Sequence, residues 1–182
     1  PVRWLMLAAP FTAGTGVYIF YAMQPLLLQL WGDPHAYAIA GLATSLVAAA
    51  QIIGGLLAAR VARLFRRRTD VLLFTGVLSI VVLSLVGVIN SFWAVVGLVA
   101  VWSMATALAT PLRQSLINSE IPSSRRATVL SFDSLMGSAG GVVAQPGLGR
   151  VAGIAGYPVS MLASAGIQVL ALPFLILARG ER

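Results

Sequence analysis

The chain has 182 residues, of which 59% are apolar and only 9% charged, and its mean hydropathy is +0.93; such a composition lacks the polar surface that a water-soluble fold of this size needs. The net charge of +7 comes from twelve arginines, no lysine and five acids, and since the arginines lie between long apolar runs, the charge reports membrane topology rather than nucleic-acid binding. Cysteine is absent, which removes disulfides, thiolate metal sites and cysteine nucleophiles.

Crossing roughly 30 Å of hydrocarbon takes about 20 helical residues. Six stretches qualify: 5–30, 37–59, 70–89, 92–118, 127–150 and 157–178. The breaks between them carry turn chemistry, from Trp31-Gly32-Asp33-Pro34 and Asn90-Ser91 to the segments 118–122 and 153–158. The expected fold is an all-α membrane protein, one bundle of six transmembrane helices over residues 1–182. Arg3, Arg60, Arg63, Arg66, Arg67, Arg68, Arg125, Arg126, Arg179 and Arg182 all fall on one side, and the three opposite loops hold no arginine. The positive-inside rule then puts both termini in the cytoplasm of a cell (inner) membrane protein. Arg150 can snorkel outward from the end of its helix. Trp4, Trp31, Tyr37, Phe92, Trp93 and Tyr157 sit at the predicted interfaces as aromatic anchors. The chain opens on Pro1 with no cleavable signal pattern, and the expectation is that it is a piece of something longer.

The first span carries Tyr18, Tyr21 and Gln24 three residues apart, on an arc of about 120°. The second carries a stripe of Thr44, Ala48, Gln51 and Gly55, and the fourth a stripe of Trp102, Thr106, Thr110 and Arg113. Such residues either line a cavity or act as hydrogen-bonding glue between helices, at about 1 kcal/mol each; as cavity residues the candidates are Tyr18, Tyr21, Gln24, Gln51, Trp102, Thr106 and Gln145. The third and sixth spans, dense in Leu, Val and Ile, read as lipid-facing supports, whereas the first, second, fourth and fifth should face inward. The fifth span holds Gly137, Gly140, Gly141, Gly147, Gly149 and Pro146, a composition suited to close packing and bending. Arg113 and Asp133 lie at depths of roughly 8 and 9 Å along consecutive helices, where an unpaired charge is costly, so an ion pair is expected.

A shift of 86 residues aligns Pro25-Leu26 with Pro111-Leu112, Gly54-Gly55 with Gly140-Gly141, Ser45 with Ser131 and Leu30 with Leu116. Three spans per copy is an odd number, so the copies form a 3+3 inverted repeat, an arrangement found in secondary transporters.

The segment from Gly54 through Arg60, Val61, Ala62 and Arg63 to Arg66-Arg67-Arg68 resembles the loop between the second and third helices of the major facilitator superfamily. Gly55, Arg60, Arg63 and the arginine tail follow that pattern; Ala59 replaces its Asp and Ala62 its second Gly. The run from Ile121-Pro122 through Arg125-Arg126 to Ser131 is similar to the family's segment leading into helix five or eleven. Gly141, Pro146 and Gly149 resemble a small-residue motif of its efflux members, with Gln145 where Gly is usual. The resemblance implies half of a major facilitator fold, the C-terminal six helices by the decay of the loop. It implies small-molecule transport by alternating access, with proton-coupled efflux of drug-like or metabolite substrates, and a signature loop and gate involving Gly55, Arg60, Arg63, Arg113 and Asp133. The implied partners are a small-molecule substrate, the lipid bilayer, and either a missing N-terminal half or a second copy, with no cofactor, metal or nucleic acid. A structural or channel-type six-helix subunit is the alternative. An intramembrane enzyme is disfavoured, because the single histidine, His35, lies in a turn and no acid cluster or paired histidine is present.

Overall fold

The computed structural model describes residues 2–180; Pro1, Glu181 and Arg182, and with them one arginine of the topology count, lie outside the described residues. Helix α1 (Val2–Trp31) is followed by α2 (Tyr37–Leu64), α3 (Arg68–Val88), α4 (Phe92–Glu120), a 3-10 turn at Ser123–Arg125, α5 (Arg126–Ala155), α6 (Tyr157–Val169) and α7 (Leu172–Gly180). With α6 and α7 counted as one span, six helical segments among the described residues are long and apolar enough to cross a membrane.

Chain chemistry explains the ends. Gly32, at φ +86°, closes α1 with its N–H on the Leu28 carbonyl, and Gly156, at φ +89°, closes α5 on Ala152. Both adopt the left-handed conformation that a side chain disfavours. Pro158 then opens α6, where a missing N–H costs nothing.

Several boundaries differ from the sequence expectation. α2 runs to Leu64 rather than residue 59, so Arg60 and Arg63 stand on its last turns instead of in a loop; arginine is a good helix former, and the helix need not stop where the apolar run stops. α5 likewise continues to Ala155. The sixth span breaks at Leu170 and Ala171, where Ala171 N–H bonds back to Gln168 O over three residues. Pro173 explains the break, having no N–H to carry the ladder across it.

The packing follows the repeat. α1 lies along α5, and α4 lies along α2, as the most extensive contacts of the bundle; exchanging the first three spans for the last three maps one pair onto the other. α3 and the α6–α7 span pack behind α1 and α4. The row α2, α4, α1, α5 therefore forms the front face.

The third and sixth spans pack behind the row α2, α4, α1, α5, and the exposed apolar surface is largest on two helices of that row. α2 and α5 are the least buried spans, presenting Leu42, Ile52, Ile53, Leu56, Phe132, Leu135, Val142 and Val143 outward. The polar residues of α3 and α6, by contrast, turn inward: Thr75, Ser79, Ser160, Ser164 and Gln168 are all buried. A polar side chain facing hydrocarbon without a partner is costly, and the interior supplies partners. Two apolar clusters result, one around Ile19, Met23, Leu83 and Met161, the other around Leu5, Val71, Ile117 and Leu175 towards the arginine-rich end. By position along the helices, Thr15, Ser79 and Gln168 fall between them.

Candidate functional site: a cleft on the front face

The front face holds a cleft of about 610 Å³. α1 contributes Thr12, Gly16, Phe20 and Tyr21, α2 contributes Gln51, and α4 contributes Trp102, Thr106, Thr110, Arg113 and Gln114. A second concavity of about 560 Å³ lies between α1 and α5, with Asp133, Ser134, Ser138 and Gln145 on its α5 wall and Arg113 again at its edge.

The candidate residues separate accordingly. Tyr21, Gln51, Trp102 and Thr106 share the first cleft, and Tyr21 is 66% exposed there. Gln145 lines the second with Asp133. Tyr18 is brought to neither. It is buried, and its hydroxyl donates to Ser160 Oγ on α6 at 2.7 Å. Gln24 reaches sideways to Thr44 Oγ1 on α2 at 3.4 Å, outside both hollows. An arc of 120° on α1 is wider than the strip that fronts the cleft, so its edges fall on different neighbours.

Arg113 and Asp133 meet where the two hollows adjoin. Nη1 donates to Oδ2 and Nη2 to Oδ1, both at 2.6 Å, and Nη2 also donates to the Leu5 carbonyl at 3.1 Å. One guanidinium thus ties α4 to α5 and to α1. The fork-to-fork geometry is the strong, charge-assisted form of this pair.

Behind the cleft runs a chain of interior hydrogen bonds absent from the sequence reading. Trp102 Nε1 donates to Ser79 Oγ at 2.9 Å, Ser79 Oγ donates to Gln168 Oε1 at 2.7 Å, and Gln168 Nε2 donates to Thr15 Oγ1 at 3.0 Å. It connects α4, α3, α6 and α1. A lone glutamine in an apolar helix is itself a signal, since such a group must find partners; likewise Thr12, Gly16 and Phe20, four apart on α1, spell the cleft-facing stripe.

At the arginine-rich end, Arg60 and Arg63 are exposed, and Arg63 Nε donates to the carbonyl of Ala59 on its own helix. The contacts between helices are made by their neighbours. Arg68 Nη1 donates to Ser115 Oγ on α4 at 2.7 Å, Arg67 Nη1 to the Arg179 carbonyl at 3.1 Å, and Arg179 Nε pairs with Asp70 at 2.7 Å. Among the described residues no group of His, Cys, Asp and Glu has the makings of a metal site.

A multi-span helical bundle with a cleft open along one face is the architecture of one half of a membrane carrier. A model of the Major Facilitator Superfamily matches residues 6–182, and the chain belongs to that superfamily. Its fold is similar to that of the POT family transporter PepTSo in an in meso crystal structure, with a TM-score of 0.86 over 98% of this chain at 13% sequence identity. The match spans 37% of the length of that transporter chain. No curated protein matches this chain.

Proposed function

We propose that this bundle is the C-terminal half of a secondary transporter that moves a small molecule by alternating access. The observation that carries the reading is the front cleft between α1, α2 and α4 with the adjoining hollow walled by α5; the outward faces of α2 and α5 are apolar and exposed among the described residues. A second six-helix half, or a second copy of the chain, set against those faces would close the cleft into a central cavity. The arginine-rich end faces the cytoplasm of a cell (inner) membrane, following the positive-inside rule, with Gly55, Arg60 and Arg63 at the cytoplasmic gate and the Arg113–Asp133 pair stabilising one of two conformations.

The direction is efflux, of drug-like or metabolite molecules. Support comes from the small-residue fifth span, where Gly14 and Gly140 bring α1 and α5 backbone to backbone. Asp133 is held by Arg113, so the acid that couples transport to protons belongs to the other half.

Counterflow in sealed vesicles containing the intact protein tests the proposal, using a panel of drug-like molecules and metabolites. Saturable exchange of a labelled compound supports it, and conductance without saturation overturns it.

A further inference from the structure

A chamber of about 120 Å³ lies behind the cleft, lined by α1, α3, α4 and the α6–α7 span. Thr12, Gly16, Trp102, Thr106, Ala109 and Arg113 line both spaces, so the chamber and the cleft adjoin along that shared wall. We propose that it is a specificity pocket that takes a ring-sized apolar group of an uncharged molecule, with Gly16 as its threshold.

The argument turns on what the chamber's polar groups have left to offer. Its deeper wall is built from Leu5, Ala8, Leu72, Ala105 and Leu175. The hydroxyls of Thr12, Thr75 and Thr106 donate to carbonyls of their own helices. Trp102, Ser79 and Gln168 donate along the interior chain. Arg113, the one charged residue in the lining, is neutralised by Asp133. A water needs about two to four polar partners, and an apolar cavity of about 150 Å³ stays dry and binds benzene. With its hydroxyls and the Trp102 indole engaged and Arg113 neutralised, this chamber is closer to the second case. It favours an apolar group and disfavours a charge, which would be desolvated without a counter-ion.

Gly16 controls access because a methyl group added there meets no atom within 4 Å. A larger side chain at this position therefore starts from open space beside both the chamber and the cleft, which Gly16 lines. At the back, a methyl group on Gly76 would come to 3.1 Å from Leu175 Cδ1, so that wall is already closed.

The pocket and its access are independent of transport; that its occupant is part of a transported molecule rests on the transport reading. Since the chain has no cysteine, single cysteines report on the chamber directly. Ala105→Cys, on the chamber wall alone, should react with benzyl methanethiosulfonate and resist the charged trimethylammonioethyl reagent. Adding Gly16→Leu should slow the benzyl reaction about tenfold or more, because the leucine side chain narrows the mouth, a difference of about 1.4 kcal/mol in the barrier. Thr110→Cys, in the cleft, should react alike in both backgrounds, and Ser103→Cys, fully buried and lining neither space, should stay unreactive. Thr75→Cys repeats the test from α3, should Ala105→Cys fail to fold. Equal reaction with and without Gly16→Leu overturns the proposal, as does preference for the charged reagent, or silence of both chamber cysteines. Vesicle counterflow is scored separately, so a silent chamber in an active carrier refutes the pocket alone, and a reactive chamber in an inactive protein refutes transport alone.

Discussion

Gly54 and Gly140 stand 86 positions apart and do the same job in the two halves of the repeat. A side chain on Gly54 would collide with the backbone of Met104 on α4, and one on Gly140 with the backbone of Pro10 on α1. Each glycine lets a front-face helix lie directly on a central one. The neighbouring glycine in the first copy, Gly55, faces open space.

Gly54→Ala and Gly140→Ala should therefore each destabilise the bundle by about 1–3 kcal/mol, because a backbone neighbour cannot rotate away as a side chain can. Gly55→Ala should be neutral or slightly stabilising, by up to about 1 kcal/mol from helix propensity. Thermal unfolding in detergent separates these outcomes; equal losses at Gly54 and Gly55 would contradict the crossing geometry.

The Arg113–Asp133 pair predicts non-additivity. Either Arg113→Gln or Asp133→Asn strands a charge within the bundle, at about 3 kcal/mol. The double variant removes both charges and should recover much of that loss. A double-mutant cycle on thermal stability reads the coupling directly, and simple addition of the two losses would show that the pair contributes little.

The Arg179–Asp70 pair should behave differently, although its separation is 2.7 Å. The Arg179 side chain is 53% exposed, against 25% for Arg113, and an ion pair open to solvent is worth at most about 1 kcal/mol. Arg179→Gln should change the unfolding midpoint only marginally. Added salt should narrow even that difference, since screening weakens exposed pairs first.

Gln168→Leu tests the interior chain. It removes the bonds to Ser79 and Thr15 while keeping the volume of the site, and each interhelical bond of this kind is worth about 0.6 kcal/mol. The expected loss is about 1–2 kcal/mol, including the cost of a buried hydroxyl left without its partner. Ser79→Ala should in addition shift the emission of Trp102, whose indole N–H loses its acceptor. An unchanged spectrum beside that of a Trp102→Phe control would rule out the bond.

The partner of Arg113 was legible in the sequence because two charges at similar depth on consecutive helices have few other ways to be neutralised. Gln168 breaks the apolar run of its span, but its place in the interior was not legible because its partners, Ser79 and Thr15, are 89 and 153 residues away along the chain. Tyr18 and Tyr21 look equivalent on a helical wheel. Only the position of α6 makes one a core residue bonded to Ser160 and leaves the other facing the cleft.

What the sequence settled by itself was the number of spans, their approximate limits, the asymmetric placement of arginine and the pairing of spans in two sets of three. These follow from local requirements: a run long enough to cross hydrocarbon, turn residues between runs, and matched residues at a constant offset. What only the tertiary structure decided was which side of each helix faces its neighbours. In water the core-facing side of a helix is marked by its apolar stripe. In lipid the inner and outer sides are nearly equally apolar, so the mark is faint, and the cleft, the chamber behind it and the Trp102–Ser79–Gln168–Thr15 chain emerge only when the helices are packed.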